Sequence, residues 1–223
     1  TVGDIESVPY LETARQMTFD LGKEQVLFIH LTLIPMVGGG EYKTKPTQHS
    51  VMKLREIGIQ PDILICRSSE MLTADMIYKI ALFTNVERGS VISGYDVRDT
   101  IYELPLVFRD QDLDGIVLKK LGIETPDPDL SRWEHMVDIC RNSLDTVTIG
   151  IVGKYIHLPD TYKSIIESLH HGGIANTVKV ELRRIDSEAL EDVREEEQES
   201  RFAGIDGILI PGGFGSRGIK GMV

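Results

Sequence analysis

Two lysines flank a threonine at Lys43-Thr44-Lys45, and Pro46 follows at once. Proline suits the first turn of a helix, where its missing amide costs nothing. The first amides of such a helix have no intrahelical partner and, with the helix dipole, they attract anions. Cations and free amides in one place make an anion site. Charge-assisted contacts of about 1.5–3 kcal/mol each, from two lysines and a helix start, suffice to gather a polyphosphate. The same lysines also read as ordinary exposed loop residues, and local chemistry alone leaves both readings open.

A second candidate is Pro211-Gly212-Gly213-Phe214-Gly215, placed just after the apolar run 207–210. Glycine lets a backbone come close to a ligand, where amides can stabilise an oxyanion. Gly213 to Gly218 also satisfies G-x-G-x-x-G, and Gly153-Lys154 suggests a phosphate loop. Neither fingerprint is complete. The acidic residue expected about 20 positions after the first would lie beyond Val223, and the second lacks its earlier glycine and has Tyr155 in place of Ser or Thr. Cys66 and Cys140 stand in apolar surroundings without metal-ligand spacing and read as buried thiols. The acidic segment 191–199, with Glu195, Glu196, Glu197 and Glu199, reads as a solvated helix face.

The elements that must position these residues alternate. Ser7 as N-cap, Pro9 and a stop at Gly22 predict a helix over 9–21. The unbroken apolar run 26–34 predicts a central parallel strand covered on both faces. After the glycines 38–40, Pro46 opens a helix with Val51, Leu54 and Ile57 on one face and Gly58 as its stop. Strands over 62–66 and 90–93 flank a helix capped by Thr73, and Asp96 reads as the cap of a segment leading to Tyr102. The prolines and acids of 124–129 close this domain. A helix over 131–141 leads to a second unit: strand 147–152, helix 159–169, and strands 178–181 and 207–210, with a helix beginning at 221–223. Strand–helix alternation implies α/β domains with parallel sheets, in which ligands bind beyond the carboxyl ends of the strands.

The bulk numbers narrow the function classes. With 223 residues, 41% hydrophobic and 26% charged, the chain has a globular composition and no apolar run of the roughly 18 residues a membrane span needs. A net charge of -11 argues against a nucleic-acid binder. No charged and apolar leader opens the chain, so a cytoplasmic setting is expected. Thr1 is not a methionine and opens mid-loop, so an internal piece of a longer protein is expected.

The run Lys43-Thr44-Lys45-Pro46-Thr47-Gln48-His49-Ser50-Val51 resembles the UTP-binding motif of CTP synthases almost letter for letter. Residues 1–7, 58–68, 79–83 and Gly153-Lys154-Tyr155 with Tyr162-Lys163-Ser164 extend the likeness over nearly the whole chain. The resemblance implies the C-terminal part of a P-loop-type amidoligase domain with a parallel sheet at 1–123. An interdomain linker with a helix follows at 124–145, and the start of a class I glutamine amidotransferase domain at 146–223. The implied reaction is ATP-dependent amination of UTP to CTP with nitrogen from glutamine or ammonia. The P-loop, the Mg2+ ligands and the Cys/His/Glu triad would lie outside this segment, which alone would be inactive.

By the same resemblance Lys43, Thr44, Lys45, Pro46, Thr47, Gln48 and Lys79 would hold UTP or CTP, with Arg67 on the phosphate side. Asp4, Ile5, Glu6, Glu12 and Phe83 would receive CTP as feedback inhibitor. Read without the resemblance, Asp4 and Glu6 are caps of the first helix. Tyr95, Asp96 and Val97 match the ATP-contacting segment, Gly212 and Gly213 the oxyanion loop, and Lys163 and Arg217 the region that senses GTP as activator. Homotetramers and filaments are implied as well. Two alternatives stand beside this reading: a nicotinamide-dependent dehydrogenase resting on the glycine fingerprint, and a noncatalytic filament or scaffold role.

Overall fold

The computed structural model describes every residue except 159, 192, 194, 214 and 223, and for 195, 196 and 198 the backbone alone. The described residues form two compact units, 1–133 and 134–223. In the first unit, α1 (Val8–Leu21) ends where Gly22 adopts a φ of 91° that a side chain would disfavour. Ser7 does not cap it. Its hydroxyl instead donates back to the carbonyls of Thr1 and Asp4, because Ser7 itself takes a helical conformation that continues a preceding 3-10 turn. Asp4 and Glu6 do not cap α1 either: Asp4 stands before the 3-10 turn with its carboxylate accepting from the amino group and hydroxyl of Thr1, and Glu6 lies within that turn.

Three parallel strands, β1 (Ile29–Leu33), β4 (Ile63–Ser68) and β5 (Val91–Tyr95), form a sheet in the order β1-β4-β5. The run 26–34 is therefore an edge strand of this sheet and not a central one. Ile29, Leu31 and Leu33 are 47–66% exposed on one face, while Thr32 is buried on the other. An apolar run records hydrophobicity, not what covers each face. The central strand is β4, whose Ile63, Leu64, Cys66 and Ser68 are all buried.

Between β1 and β4 lies a hairpin of β2 (Met36–Val37) and β3 (Glu41–Tyr42), absent from the sequence reading because each arm is only two residues long. Helix α2 (Lys45–Glu56) follows, and α3 (Ala74–Thr84) connects β4 to β5. Val51 and Leu54 of α2 are buried, each burial contributing about 1.5–3 kcal/mol. Thr73 caps α3, accepting from the Met76 amide at 3.3 Å. Two further helices, α4 (Leu104–Asp110) and α5 (Leu113–Leu121), follow β5. Thr100, not Asp96, caps the turn that leads into them, accepting from the Tyr102 amide.

Helix α6 (Ser131–Asn142) carries the chain into the second unit. There β6 (Thr146–Gly153) is flanked by β7 (Lys179–Asp186) and β8 (Gly207–Leu209), all parallel, in the order β7-β6-β8. Helix α7 (Lys163–Ala175) begins four residues later than the spacing suggests, and Pro159, the expected start, lies outside the described residues. Strand β7 runs on to Asp186, with Arg183 and Arg184 at exposed sheet positions that suit charged side chains. The acidic segment supplies α8 (Glu195–Phe202). Residues 221–222 form a turn and not the start of a helix; Val223 lies outside the described residues.

Adjacent glycines in α7 test its packing on β7. A Cβ on Gly173 would lie 2.6 Å from Val180 Cγ2 and 2.7 Å from the Val178 carbonyl oxygen, whereas one on Gly172 meets nothing within 4 Å. Gly173→Ala is expected to destabilise by about 1–3 kcal/mol through overpacking, and Gly172→Ala to stabilise by about 0.5–1 kcal/mol. Denaturant midpoints check this, and the reverse order would contradict the packing.

Candidate functional site

Parallel pairing brings the carboxyl ends of β1, β4 and β5 to one edge: Leu33 stands beside Arg67, and Ser68 beside Tyr95. The β2–β3 hairpin lies at this edge. Ile34 donates its amide to the Arg67 carbonyl at 2.7 Å, Lys43 donates its amide to the Pro35 carbonyl at 3.0 Å, and the Tyr42 hydroxyl meets Ser69 Oγ at 2.8 Å. The hairpin thus returns the chain so that α2 starts beside the end of β1.

No side chain caps the first turn of α2. Thr44 Oγ1 instead accepts from Gln48 Nε2 at 3.2 Å, and both residues are turned inward to differing degrees, Thr44 buried and Gln48 half-buried. Thr47 is fully buried, and its hydroxyl donates to Thr32 Oγ1 at 3.0 Å, with the Leu33 carbonyl at 3.4 Å. Thr32 in turn donates to Cys66 Sγ at 3.6 Å. Within the run 43–48, Lys45 and Pro46 are therefore outermost, whereas Thr44 and Thr47 hold the helix start against the sheet.

The cations of this edge are unequal. Lys43 Nζ lies 2.6 Å from Glu41 Oε2. Lys43, first by hydrogen bond and then by charge, holds the Glu41 carboxyl below its usual range, and Lys79 on α3 adds to the effect. Glu41 thus brings Lys43 and Lys79 into one electrostatic group, a connection the sequence reading missed. No local signal marks it, because β3 ends at Tyr42 and Lys79 comes from α3. Lys45 has no ion-pair partner among the described residues and is exposed. Arg67 pairs with Asp96 at 3.5 Å, both well exposed, so the residues assigned to pyrimidine phosphate and to ATP meet directly. Tyr95 and Val97 flank Asp96 and are half-buried.

Asp4, Ile5, Glu6, Glu12 and Phe83 are spread over the first 3-10 turn, α1 and α3, with Ile5 and Phe83 largely exposed. Glu12 is engaged within its own helix. It accepts from Arg15 Nε at 2.8 Å and Nη2 at 2.7 Å and from Gln16 at 2.7 Å, contacts that draw its carboxyl down to about 2.

In the second unit Gly212 and Gly213 lie exposed just after β8, while Phe214 of the same run is outside the described residues. Arg217 pairs with Glu188 at 3.1 Å and lies 5.3 Å from the centre of the Tyr155 ring. Lys163 is exposed at the start of α7. The segment after the glycine run, 215–222, consists of bends and turns. A dinucleotide fingerprint requires a helix there, to carry the pyrophosphate on its first amides.

A family model described as CTP synthase N-terminus matches residues 1–123. The chain belongs to the CTP synthase family. A model described as glutamine amidotransferase class-I matches residues 157–223. The chain is 51% identical to the CTP synthase of Ruminiclostridium cellulolyticum over 224 aligned positions, covering 100% of this chain and 41% of that protein. It is 51% identical to the CTP synthase of Oleidesulfovibrio alaskensis and 52% to that of a Hydrogenobaculum species, covering 100% of this chain and 40% of each protein. The chain therefore spans about two fifths of the length of these relatives. With this family and with turns in place of the required helix, the dehydrogenase alternative is not supported.

The Thr47–Thr32–Cys66 contacts generate two expectations. Thr47→Val removes a buried donor and should cost about 1–2 kcal/mol in stability, read from the denaturant midpoint. Burial pushes the Cys66 thiol up to about 11. Native alkylation of Cys66 at pH 8 should then be at least about a hundredfold slower than after unfolding, because the thiolate is the reactive form. Peptide mass spectrometry reads both rates, and equal rates would contradict the buried thiol.

Proposed function

We propose that this chain is the part of an ATP-dependent, glutamine-hydrolysing CTP synthase that recognises the pyrimidine nucleotide and begins the glutaminase. The observation that carries this reading is the uncapped start of α2 beside Lys43, Lys45 and, through Glu41, Lys79. In an otherwise acidic chain, this gathers cations and helix amides where a triphosphate needs them.

In the reaction so assigned, O4 of UTP attacks the γ-phosphorus of ATP and ADP departs. Ammonia, released with glutamate when glutamine is hydrolysed, then adds at C4. Loss of phosphate leaves CTP. Lys43, Lys45, Gln48, Lys79 and Arg67 bind and orient the triphosphate, while Thr44, Pro46 and Thr47 set the helix that presents them. Their contribution is charge neutralisation and positioning rather than proton transfer. Tyr95, Asp96 and Val97 take the ATP side, and the Arg67–Asp96 pair supports coupling of the two nucleotides.

Asp4, Ile5, Glu6, Glu12 and Phe83 are assigned to CTP as inhibitor, Gly212 and Gly213 to the glutaminase oxyanion, and Lys163 and Arg217 to GTP as activator. Magnesium accompanies the nucleotides. Among the described residues no three His, Cys, Asp or Glu side chains come together as a metal site. Among them, too, no helix is long and apolar enough to cross a membrane. Assembly as a homotetramer, with filaments, belongs to the same proposal.

In the full-length protein, Lys45→Ala should weaken UTP binding by about tenfold or more, the loss of one charge-assisted contact. Lys43→Ala should weaken it less, because Lys43 must exchange Glu41 for phosphate. Calorimetric titration with UTP measures both, with ATP affinity as the control. Unchanged UTP affinity in Lys45→Ala would refute the phosphate role.

A further inference from the structure

Lys154, directly after β6, is only 7% exposed, although lysine is rarely buried without a partner. Its ammonium reaches the glycine-rich loop and donates to the Gly215 carbonyl at 3.0 Å. The stem of the side chain runs beneath the same loop. A Cβ built on Gly213 would lie 4.0 Å from Lys154 Cε, and one on Gly218 would lie 3.4 Å from Lys154 Cγ.

The other wall of this seat is Ser187, fully buried, whose Oγ has no hydrogen-bond partner among the described residues. A Cβ on Gly218, which has a φ of 72°, would collide with that hydroxyl. One on Gly221 would collide with the Ser187 carbonyl. Residues 215–221 therefore lie on Lys154 and Ser187, with no room for side chains at Gly218 and Gly221. The Arg217–Glu188 pair closes the same segment from its outer side. Gly212 and Gly213 remain exposed above it.

We propose that Lys154 is a positioning residue for glutamine hydrolysis: by holding the Gly215 carbonyl, it keeps the glycine-rich loop in the conformation that offers its amides to the oxyanion. This deepens the glutaminase reading above and rests on it. Glycines are used where backbone must approach substrate closely, yet the same freedom lets the loop wander. A buried ammonium bonded to a loop carbonyl removes that freedom without adding bulk on the substrate side. Oxyanion donors act only when they are already aimed at the place where charge develops. Loss of the anchor should therefore appear in the chemical step more than in glutamine binding.

The test uses the full-length protein with Lys154→Met and Lys154→Arg. Glutamine hydrolysis is measured per active site, titrated with an electrophilic glutamine analogue, and ammonia-dependent CTP formation serves as the folding control. Lys154→Met should lower kcat for glutamine by at least about tenfold with KM within about twofold, while Lys154→Arg recovers a substantial part. Ammonia-dependent synthesis should persist.

A kcat within about twofold of wild type in Lys154→Met would overturn the proposal. So would a rise in KM alone, or equal loss of the glutamine and ammonia activities. If Lys154→Met does not fold, Lys154→Gln against Lys154→Arg carries the same comparison. A wild-type protein that does not hydrolyse glutamine overturns the glutaminase reading and this inference together. A hydrolysing wild type with an unaffected variant overturns this inference alone.

Discussion

A single buried hydroxyl, that of Thr47, fixes where the candidate nucleotide-binding edge of the first unit can be. It bonds to Thr32 on β1, and Thr32 bonds to Cys66 on β4, so the start of α2 is tied through polar atoms to both strands. Burying polar groups is costly unless they are paired, so an alternative placement of α2 would strand three of them. The apolar contacts of Val51 and Leu54 press the helix onto the sheet. Such contacts tolerate sliding better than hydrogen bonds do. The hydroxyls set the register, and the register decides where Lys43 and Lys45 stand.

Much of this was legible in the sequence because helix punctuation is local chemistry. Pro46 and Gly58 bracket α2, and Thr73 opens α3 through a hydrogen bond to a residue three positions on. What the sequence hid was non-local. The run 26–34 looks like a central strand, yet among the described residues it lies at an edge with Ile29, Leu31 and Leu33 exposed, because hydrophobicity does not specify the covering layer. The β2–β3 hairpin is too short to show a period of two. Glu41 shows the same limit within the candidate site: three residues as different as Glu41, Lys43 and Lys79 form one charge group only once α3 is set beside the hairpin.

The run 43–48 is also less uniform than a motif suggests. Six consecutive letters resemble a binding signature, but burial divides them into residues that face solvent and residues that build the support. Thr44 and Thr47 face inward, and Pro46 contributes a fixed backbone angle rather than a contact. A motif thus joins ligand chemistry to the packing that aims it. Replacing a supporting threonine can therefore imitate the loss of a binding lysine, and stability must be measured beside affinity to separate the two.

The two units use lysine in opposite ways near the carboxyl ends of their parallel strands. In the first unit Lys45 stays exposed, and Lys43 is held by a carboxylate it can exchange. A cation meant for a ligand has to remain solvated or weakly paired until the ligand comes, since a desolvated partner would have to be displaced at high cost. In the second unit Lys154 is buried and bonded to a main-chain carbonyl. That bond ties the buried side chain to the segment that follows β8, so the two are fixed together. Exposure, which the sequence does not encode locally, is what separates the lysine proposed for a substrate from the lysine proposed to hold a loop.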